Sequence, residues 1–295
     1  TDGVINPAPL TIKAANDAKF VTQTDQAGFG GVLFDGFVAG ETQSTAGVFE
    51  TVGNITRSNP AVSSAGRYEG VLEPAGWQSQ NYAITYEPGD FTIVPADTLL
   101  VKAPAVSVTY ADAVDLQNDT TAQYLDSADN QIKNLQVTVA DNRYSVDDDV
   151  GGLAFFALDP RNAENSSAGL LSEGSYDLQA NDIEIAQSRH FESMVAVGSL
   201  TVDPLVIQST TAVTDVQKTY DGNRVAKDLV LDVDLQTAGI QAGDAIALLA
   251  NGVFADRHVG TDKTVNIDLM LHGADARNYR LAQASLSSDI GTITQ

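Results

Sequence analysis

Apolar and polar residues alternate one for one along much of this chain. Val265, Ile267, Leu269 and Leu271 alternate with Asn266, Asp268, Met270 and His272. Leu229, Leu231, Val233 and Leu235 alternate with Val230, Asp232, Asp234 and Gln236, and Leu135, Val137 and Val139 with Gln136 and Thr138. A period of two belongs to a strand with one buried face and one wet face. Between such runs lie turn sequences: Tyr220-Asp221-Gly222-Asn223, Ala242-Gly243-Asp244, Asn251-Gly252 and Glu87-Pro88-Gly89-Asp90. No amphipathic helix of ten residues stands out, and a short one is expected only from Asp159 to Leu171. The pattern predicts an all-β chain.

The strands recur in sets. Pro7-Ala8-Pro9-Leu10-Thr11-Ile12, Val94-Pro95-Ala96-Asp97-Thr98-Leu99-Leu100-Val101 and Val202-Asp203-Pro204-Leu205-Val206-Ile207 each place a proline beside a β-branched run. Proline suits the start of an edge strand or a stiff joint. A closing set recurs too. Gly66-Arg67-Tyr68, Asn81-Tyr82-Ala83-Ile84 and Gly89-Asp90-Phe91-Thr92-Ile93 match Gly174-Ser175-Tyr176-Asp177-Leu178, His190-Phe191 and Gly198-Ser199-Leu200-Thr201-Val202. Their counterparts further on are Gly260 to Val265, Asn278-Tyr279-Arg280-Leu281 and Ile290-Gly291-Thr292-Ile293-Thr294. Tyr68 to Tyr82 and Tyr176 to Phe191 are spaced as hairpins, and the aromatics read as core anchors. The segments are therefore drawn at 1–95, 96–203 and 204–295. Three tandem all-β domains are expected, each of roughly six to nine short strands, arranged end to end through proline-marked joints.

Charge narrows the partners. The chain of 295 residues carries 16 Lys plus Arg against 39 Asp plus Glu, a net charge of −23. Such a surface repels nucleic acid and anionic membranes, and it favours a monomer in solution. The middle segment holds 5 basic and 18 acidic residues, net −13, against −6 and −4 for its neighbours. With no cysteine there are no disulfides, no thiolate chemistry and no Cys-ligated zinc. No apolar run approaches the length of a membrane-spanning helix. The opening Thr1-Asp2-Gly3 carries no signal peptide, and a piece of a longer exported chain is expected.

The last segment resembles a YDG repeat. The likeness rests on Lys218-Thr219-Tyr220-Asp221-Gly222, Gly239-Ile240-Gln241-Ala242-Gly243-Asp244, Phe254-Ala255-Asp256-Arg257-His258-Val259-Gly260, Lys263-Thr264-Val265 and Gly273-Ala274-Asp275-Ala276-Arg277-Asn278-Tyr279-Arg280-Leu281. The first segment resembles the related MBG repeat. It does so through Pro7 to Ile12, Gly36-Phe37-Val38-Ala39-Gly40-Glu41-Thr42, Gly66-Arg67-Tyr68, and Asn81-Tyr82-Ala83-Ile84-Thr85-Tyr86 leading to Phe91-Thr92-Ile93. It departs near Lys19-Phe20-Val21, where that family usually carries Tyr-Gly. The middle segment is a divergent, acidic member, similar at Val108-Thr109-Tyr110-Ala111-Asp112 and in its closing strands. The resemblance implies small β-sandwich or β-grasp-like modules in large exoproteins of Gram-negative bacteria. Those are similar to filamentous haemagglutinin and exported by two-partner secretion. It brings no catalytic residues with it.

Candidate chemistry is sparse. His190, His258 and His272 are far apart and lack i+3 or i+4 partners, so a structural role is expected of each. Paired carboxylates for glycoside hydrolysis are not marked out, and there is no Gly-x-Ser-x-Gly elbow. Gly28-Phe29-Gly30-Gly31 reads as a strand-linking turn. Asp147, Asp148 and Asp149 form an acidic run before Val150-Gly151-Gly152. As a group these carboxylates are candidate ligands for calcium, and as a solvated loop they need no metal. The single tryptophan, Trp77, could stack on a sugar ring or cap the core. Asn54, Asn118 and Asn165 begin N-x-Ser/Thr sequons.

The sequence thus leads to a non-enzymatic reading. The expected role is a structural stalk or spacer of a secreted adhesin at the bacterial cell surface, supporting cell adhesion or biofilm formation. The alternative is a calcium-dependent or carbohydrate-binding module centred on the acidic middle segment. In either case the parent protein would reach extracellular polysaccharide or a host or cell-surface receptor.

Overall fold

The computed structural model describes residues 5–38, 41–116, 119–140, 143–208, 212–213, 216–226, 229, 231–232 and 239–295. The alternation at 229–236 falls largely outside these residues. Thr1-Asp2-Gly3, Ala39, Gly40 and Asn118 also lie outside them. The fold is all-β. The described residues divide into two compact units. The first comprises Thr1–Val108, Asp112–Ala163 and Gly174–Val202; the second comprises Thr109–Ala111, Glu164–Glu173 and Asp203–Gln295.

The first unit begins with β1 (Ala8–Ala14), β2 (Asp17–Phe20), β3 (Val32–Asp35), β4 (Asn54–Arg57), β5 (Gly66–Ala75), β6 (Tyr82–Glu87) and β7 (Gly89–Val94). They form two sheets, ordered β3-β1-β6 and β2-β7-β5-β4. Leu10, Ile12, Val48, Trp77 and Tyr82 fill one core cluster, and Ala14, Ile55, Leu72, Phe91 and Ile93 another. The spacing of Tyr68 and Tyr82 predicted a hairpin, and the structure corrects this. β5 pairs antiparallel with β7, with Tyr68 opposite Phe91. β6 pairs parallel with β1, with Tyr82 opposite Ala8. The parallel pairing puts Tyr82 beside Leu10 and Ile12, burying all three, and a hairpin would forgo that burial.

The unit continues with β8 (Thr98–Thr109), β9 (Thr121–Leu125), β10 (Ile132–Leu135), β11 (Val137–Ala140), β12 (Arg143–Asp147), β13 (Leu153–Pro160), β14 (Gly174–Ala186) and β15 (Ser193–Asp203). Their order is β10-β9-β8-β15-β14-β13-β12-β11. The two edges, β10 and β11, are separated in sequence by Gln136 alone. One extended stretch therefore pairs with β9 through its first half and with β12 through its second, and the sheet curls toward closure, which removes free edges. Inward residues alternate as expected: Tyr144 stacks on Phe156 across the β12–β13 ladder at 5.2 Å. Ala18, Phe20 and Val94 share a core cluster with Leu100, Leu125 and Val197. Lys13 pairs with Asp177 at 3.0 Å and Lys102 with Asp17 at 2.7 Å.

The second unit contains β16 (Leu205–Ile207), β17 (Ala212–Val213), β18 (Val216–Thr219), β19 (Val225–Ala226), β20 (Leu231–Asp232), β21 (Ala247–Phe254), β22 (Gly260–His272), β23 (Tyr279–Leu281) and β24 (Ser285–Thr294). Its main sheet runs β18-β24-β22-β21-β19, with β16 parallel to β23 and β17 antiparallel to β20. Val265, Ile267 and Leu269 of β22 are buried, while Met270 is 48% exposed. This is the alternation read from the sequence. The pairing scheme repeats that of the opening strands: β18 lies parallel to β24 as β2 does to β7, and β16 to β23 as β1 to β6.

The short helix expected from Asp159 to Leu171 does not form. Asp159 and Pro160 end β13, and the residues beyond them make turns and a bridge between Asn165 and Leu171. Proline, asparagine and serine favour turns there, and Gly169 sits at φ +80°.

Candidate functional site

The sequence candidates separate in space. Asp147 ends β12 and is exposed, as is Asp149, which adopts φ +61°. Asp148 is buried. Its Oδ1 accepts the amides of Gly152 at 2.6 Å and Val150 at 3.1 Å, and its Oδ2 that of Arg189 at 3.3 Å. Burial alone would raise its pKa, but these amides and the Ser188 hydroxyl hold it below the ordinary carboxylate value. Asp148 thus ties a loop together with lone pairs that a cation would otherwise need. Among the described residues no three His, Cys, Asp or Glu side chains gather as a metal site.

Trp77 is buried in the core beside Leu10, Ile12, Val48 and Tyr82. Its carbonyl accepts the Tyr86 hydroxyl at 3.0 Å, and Gly53 lies against its ring so closely that a Cβ there would come within 2.3 Å of Cε3. The indole faces are covered by protein. His190 stacks on Tyr124 at 5.1 Å, and His258 and His272 are exposed. Asn54 and Asn165 are exposed as well. Gly28 to Gly31 forms the turn between β2 and β3, with Gly28 and Gly31 at positive φ.

A different constellation recurs in both units. Ahead of β6, the Val38 amide donates to the Tyr82 hydroxyl oxygen at 2.9 Å. Tyr82 donates to the Glu41 carboxylate, and the Glu41 amide returns to the Val38 carbonyl at 3.0 Å. In the second unit the Gln241 amide donates to Tyr279 at 2.8 Å. Tyr279 donates to Asp244 Oδ2 at 2.6 Å, and the Asp244 amide returns to the Gln241 carbonyl at 3.2 Å. Each clasp begins at a glycine in the left-handed region, Gly36 at φ +106° and Gly239 at φ +98°. Each locks a turn to the first residue of a strand in a parallel pair, β6 or β23.

The second clasp holds more. Tyr110, 1% exposed, brings its hydroxyl to 2.6 Å from Asp244 Oδ2 and 2.7 Å from Ser166 Oγ. Its ring meets Tyr279 edge-on at 5.3 Å. Asp244 Oδ1 accepts the Ala168 amide at 3.1 Å. Buried Asp275 accepts the Ser167 amide at 3.0 Å on one oxygen and the Ala245 amide at 2.6 Å on the other. The side-chain carbonyl of Asn278 accepts the Glu173 amide at 2.8 Å, and Arg277 pairs with Glu164. Two carboxylates thus grip two successive amides at the tip of the tongue formed by Glu164–Glu173.

The electrostatics follow from this packing. Burial pushes the Tyr110 hydroxyl up to about 12, with the Asp244 charge adding to it, and drives Tyr279 higher still. Burial would raise Asp244 too, but the hydrogen bonds from Tyr110, Tyr279, Ser166 and the Ala168 amide outweigh it and lower its pKa. Asp275 is lowered in the same way by the Ala245 amide and by Ser167, against burial and the nearby Asp244 charge. Hydrogen bonds to ionised acceptors are the strong class. This chemistry holds structure together.

Sequence reading passed over Tyr110, Asp244 and Asp275 as chemistry. A usable signal was present. Gly36 to Glu41 and Gly239 to Asp244 share one register, Gly-x-x-x-Gly followed by an acid, and each precedes an Asn-Tyr pair. Comparison with known families agrees with the repeats. Residues 10–92 match the MBG domain of the YGX type, and residues 203–286 match the YDG domain. Neither the curated proteins nor the solved structures gave a match.

Proposed function

We propose that this chain is a force-bearing structural segment of a bacterial surface protein. MBG and YDG domains are found in large bacterial surface proteins. The observation that carries the reading is the parallel pairing of early with late strands in both modules. β2 lies parallel to β7, and β18 to β24, the latter through the register Val216–Gly291 to Thr219–Thr294. Tension on the chain draws the two strands of such a pair in opposite directions along their length. The ladder is then loaded in shear, and its hydrogen bonds must fail together. A hairpin pulled from its open end loses them singly. With no cysteine to cross-link the modules, resistance rests on these ladders and the cores beneath them.

In the parent protein such a segment would hold a binding element away from the cell and support adhesion or biofilm formation after secretion. Single-molecule pulling of the full chain from its ends tests the mechanical part. Separate, cooperative unfolding events for the modules are expected. Smooth extension at low force would remove the proposal. Exchange in the parent protein for an unrelated β-module of equal length tests the spacer role. Retained cell attachment is expected; lost attachment would place the binding surface in this segment.

A further inference from the structure

The tongue Glu164–Glu173 has a counterpart in the first segment. Gln43-Ser44-Thr45-Ala46-Gly47-Val48 aligns with Asn165-Ser166-Ser167-Ala168-Gly169-Leu170. The two glycines share one backbone conformation, φ +83° at Gly47 and φ +80° at Gly169. Both stretches dock on corresponding residues. Gly76 to Tyr82 and Gly273 to Tyr279 align, each starting at a glycine of positive φ and ending on Asn-Tyr. On the first, the Ser79 hydroxyl donates to the Val48 carbonyl at 2.6 Å, the Gln78 amide to Thr51 at 3.1 Å, and the Glu50 amide to Gln78 at 2.9 Å. On the second, Asp275 stands in the position of Gln78 and takes the Ser167 amide, while Asn278 takes the Glu173 amide.

The two modules differ in where this loop comes from. In the first segment residues 42–53 lie between the clasp acid Glu41 and β4. In the YDG domain only residues 245–246 separate the clasp acid Asp244 from β21, the strand that corresponds to β4. The YDG domain has no such loop at that point of its own sequence. A loop of the same kind fills the place all the same, from residues 164–173. It lies so close that a Cβ on Gly243 would come within 3.3 Å of Ala168 Cα.

We propose that Asp244, Asp275, Asn278 and Tyr279 form a loop-acceptor site, and that Glu164–Glu173, with Tyr110, is the donated loop that completes the YDG fold. Recognition runs through the amides of Ser167, Ala168 and Glu173. The ligand class is therefore a tight turn of small residues offering consecutive N–H groups, with wide latitude in its exposed side chains. The side chains at this position differ in what they take. The Gln78 side-chain carbonyl accepts the Thr51 hydroxyl at 3.3 Å, whereas the Asp275 carboxylate accepts the Ser167 amide at 3.0 Å, a charge-assisted bond of the stronger class.

The test uses the full chain. In one variant residues 164–173 are replaced by a glycine–serine run of equal length. In a second, that replacement is kept and the sequence of Thr42–Thr51 is inserted after Asp244. Hydrogen exchange of β21 and β22 reads the second unit, and Trp77 fluorescence reads the first. The replacement should lower the melting temperature of the second unit by roughly 4–8 °C or more and strip protection from β21 and β22, leaving the Trp77 transition in place. The insertion should restore both. Unchanged protection after replacement would make the tongue a surface ornament and overturn the site. Loss that the insertion leaves unrestored would overturn the equivalence of the two loops.

Discussion

At the scale of the residue, the acids of this chain divide by where their lone pairs go. Asp147, Asp148 and Asp149 look equivalent in the sequence, yet only Asp148 is buried, with three amides on its two oxygens. Replacing it with alanine strands those amides in a closed loop, each loss of this kind costing about 1–3 kcal/mol. Asp148→Ala is expected to destabilise the first unit by about 2 kcal/mol, and Asp147→Ala or Asp149→Ala by no more than about 0.5 kcal/mol. Denaturant unfolding followed at Trp77 measures all three. The Asp148 cost should be the same in EDTA and in millimolar calcium, because the partners are amides. A cost confined to calcium-containing buffer would return this loop to metal binding.

At the scale of the element, strand faces were legible in the sequence and strand partners were not. The alternation of Val265 to His272 gave the buried and wet faces of β22 residue by residue. The run Leu135-Val137-Val139 was legible as a strand, but its change of partner at Gln136 was not, because a period of two is indifferent to which neighbour supplies the ladder. The same blindness produced the false hairpin at Tyr68 and Tyr82. Parallel pairing of β1 with β6 joins residues some seventy apart, and only their shared core selects it. The tongue was harder to read. Its turn residues were visible, but the acids that hold them lie far along the chain, at Asp244 and Asp275.

The shear ladders give this scale its prediction. The Val21 amide donates to the Val94 carbonyl at 3.0 Å, and the Tyr220 amide to Thr294 at 2.9 Å, each just beyond the end of β2 or β18. Proline at either position deletes that donor. In pulling experiments Val21→Pro should lower the unfolding force of the first module alone, and Tyr220→Pro that of the YDG domain alone. Equal forces in parent and variants would mean that these ladders do not limit unfolding.

At the scale of the whole molecule, two electrostatic effects of opposite sign meet in acid. The net charge of −23 repels itself, so protonating carboxylates ought to relieve the folded state as pH falls. Most of those charges are exposed and screened beyond about 8 Å at physiological salt. Against this stand carboxylates whose folded pKa lies below the ordinary 3.8: Asp25, Asp90 and Asp148 in the first unit, Asp244 and Asp275 in the second. A depressed pKa means the native state binds its proton later than the unfolded chain does. The stability each such group provides is present above 3.8 and lost as pH falls through its folded value. Close hydrogen bonds outweigh screened repulsion, so both units should weaken below about pH 4 instead of tightening. At the alkaline end the sign reverses. Tyr110 and Tyr279 are raised, so their contribution is complete below 10 and fades as pH climbs toward 12 and beyond. Hydrogen exchange across pH 2 to 7 separates the causes. An Asp244→Asn, Asp275→Asn chain cannot titrate at the clasp; it should be less stable at pH 7 and lose less on acidification, in β21 and β22 alone. An unchanged acid slope in that variant would assign the acid sensitivity of the second unit to its exposed charges.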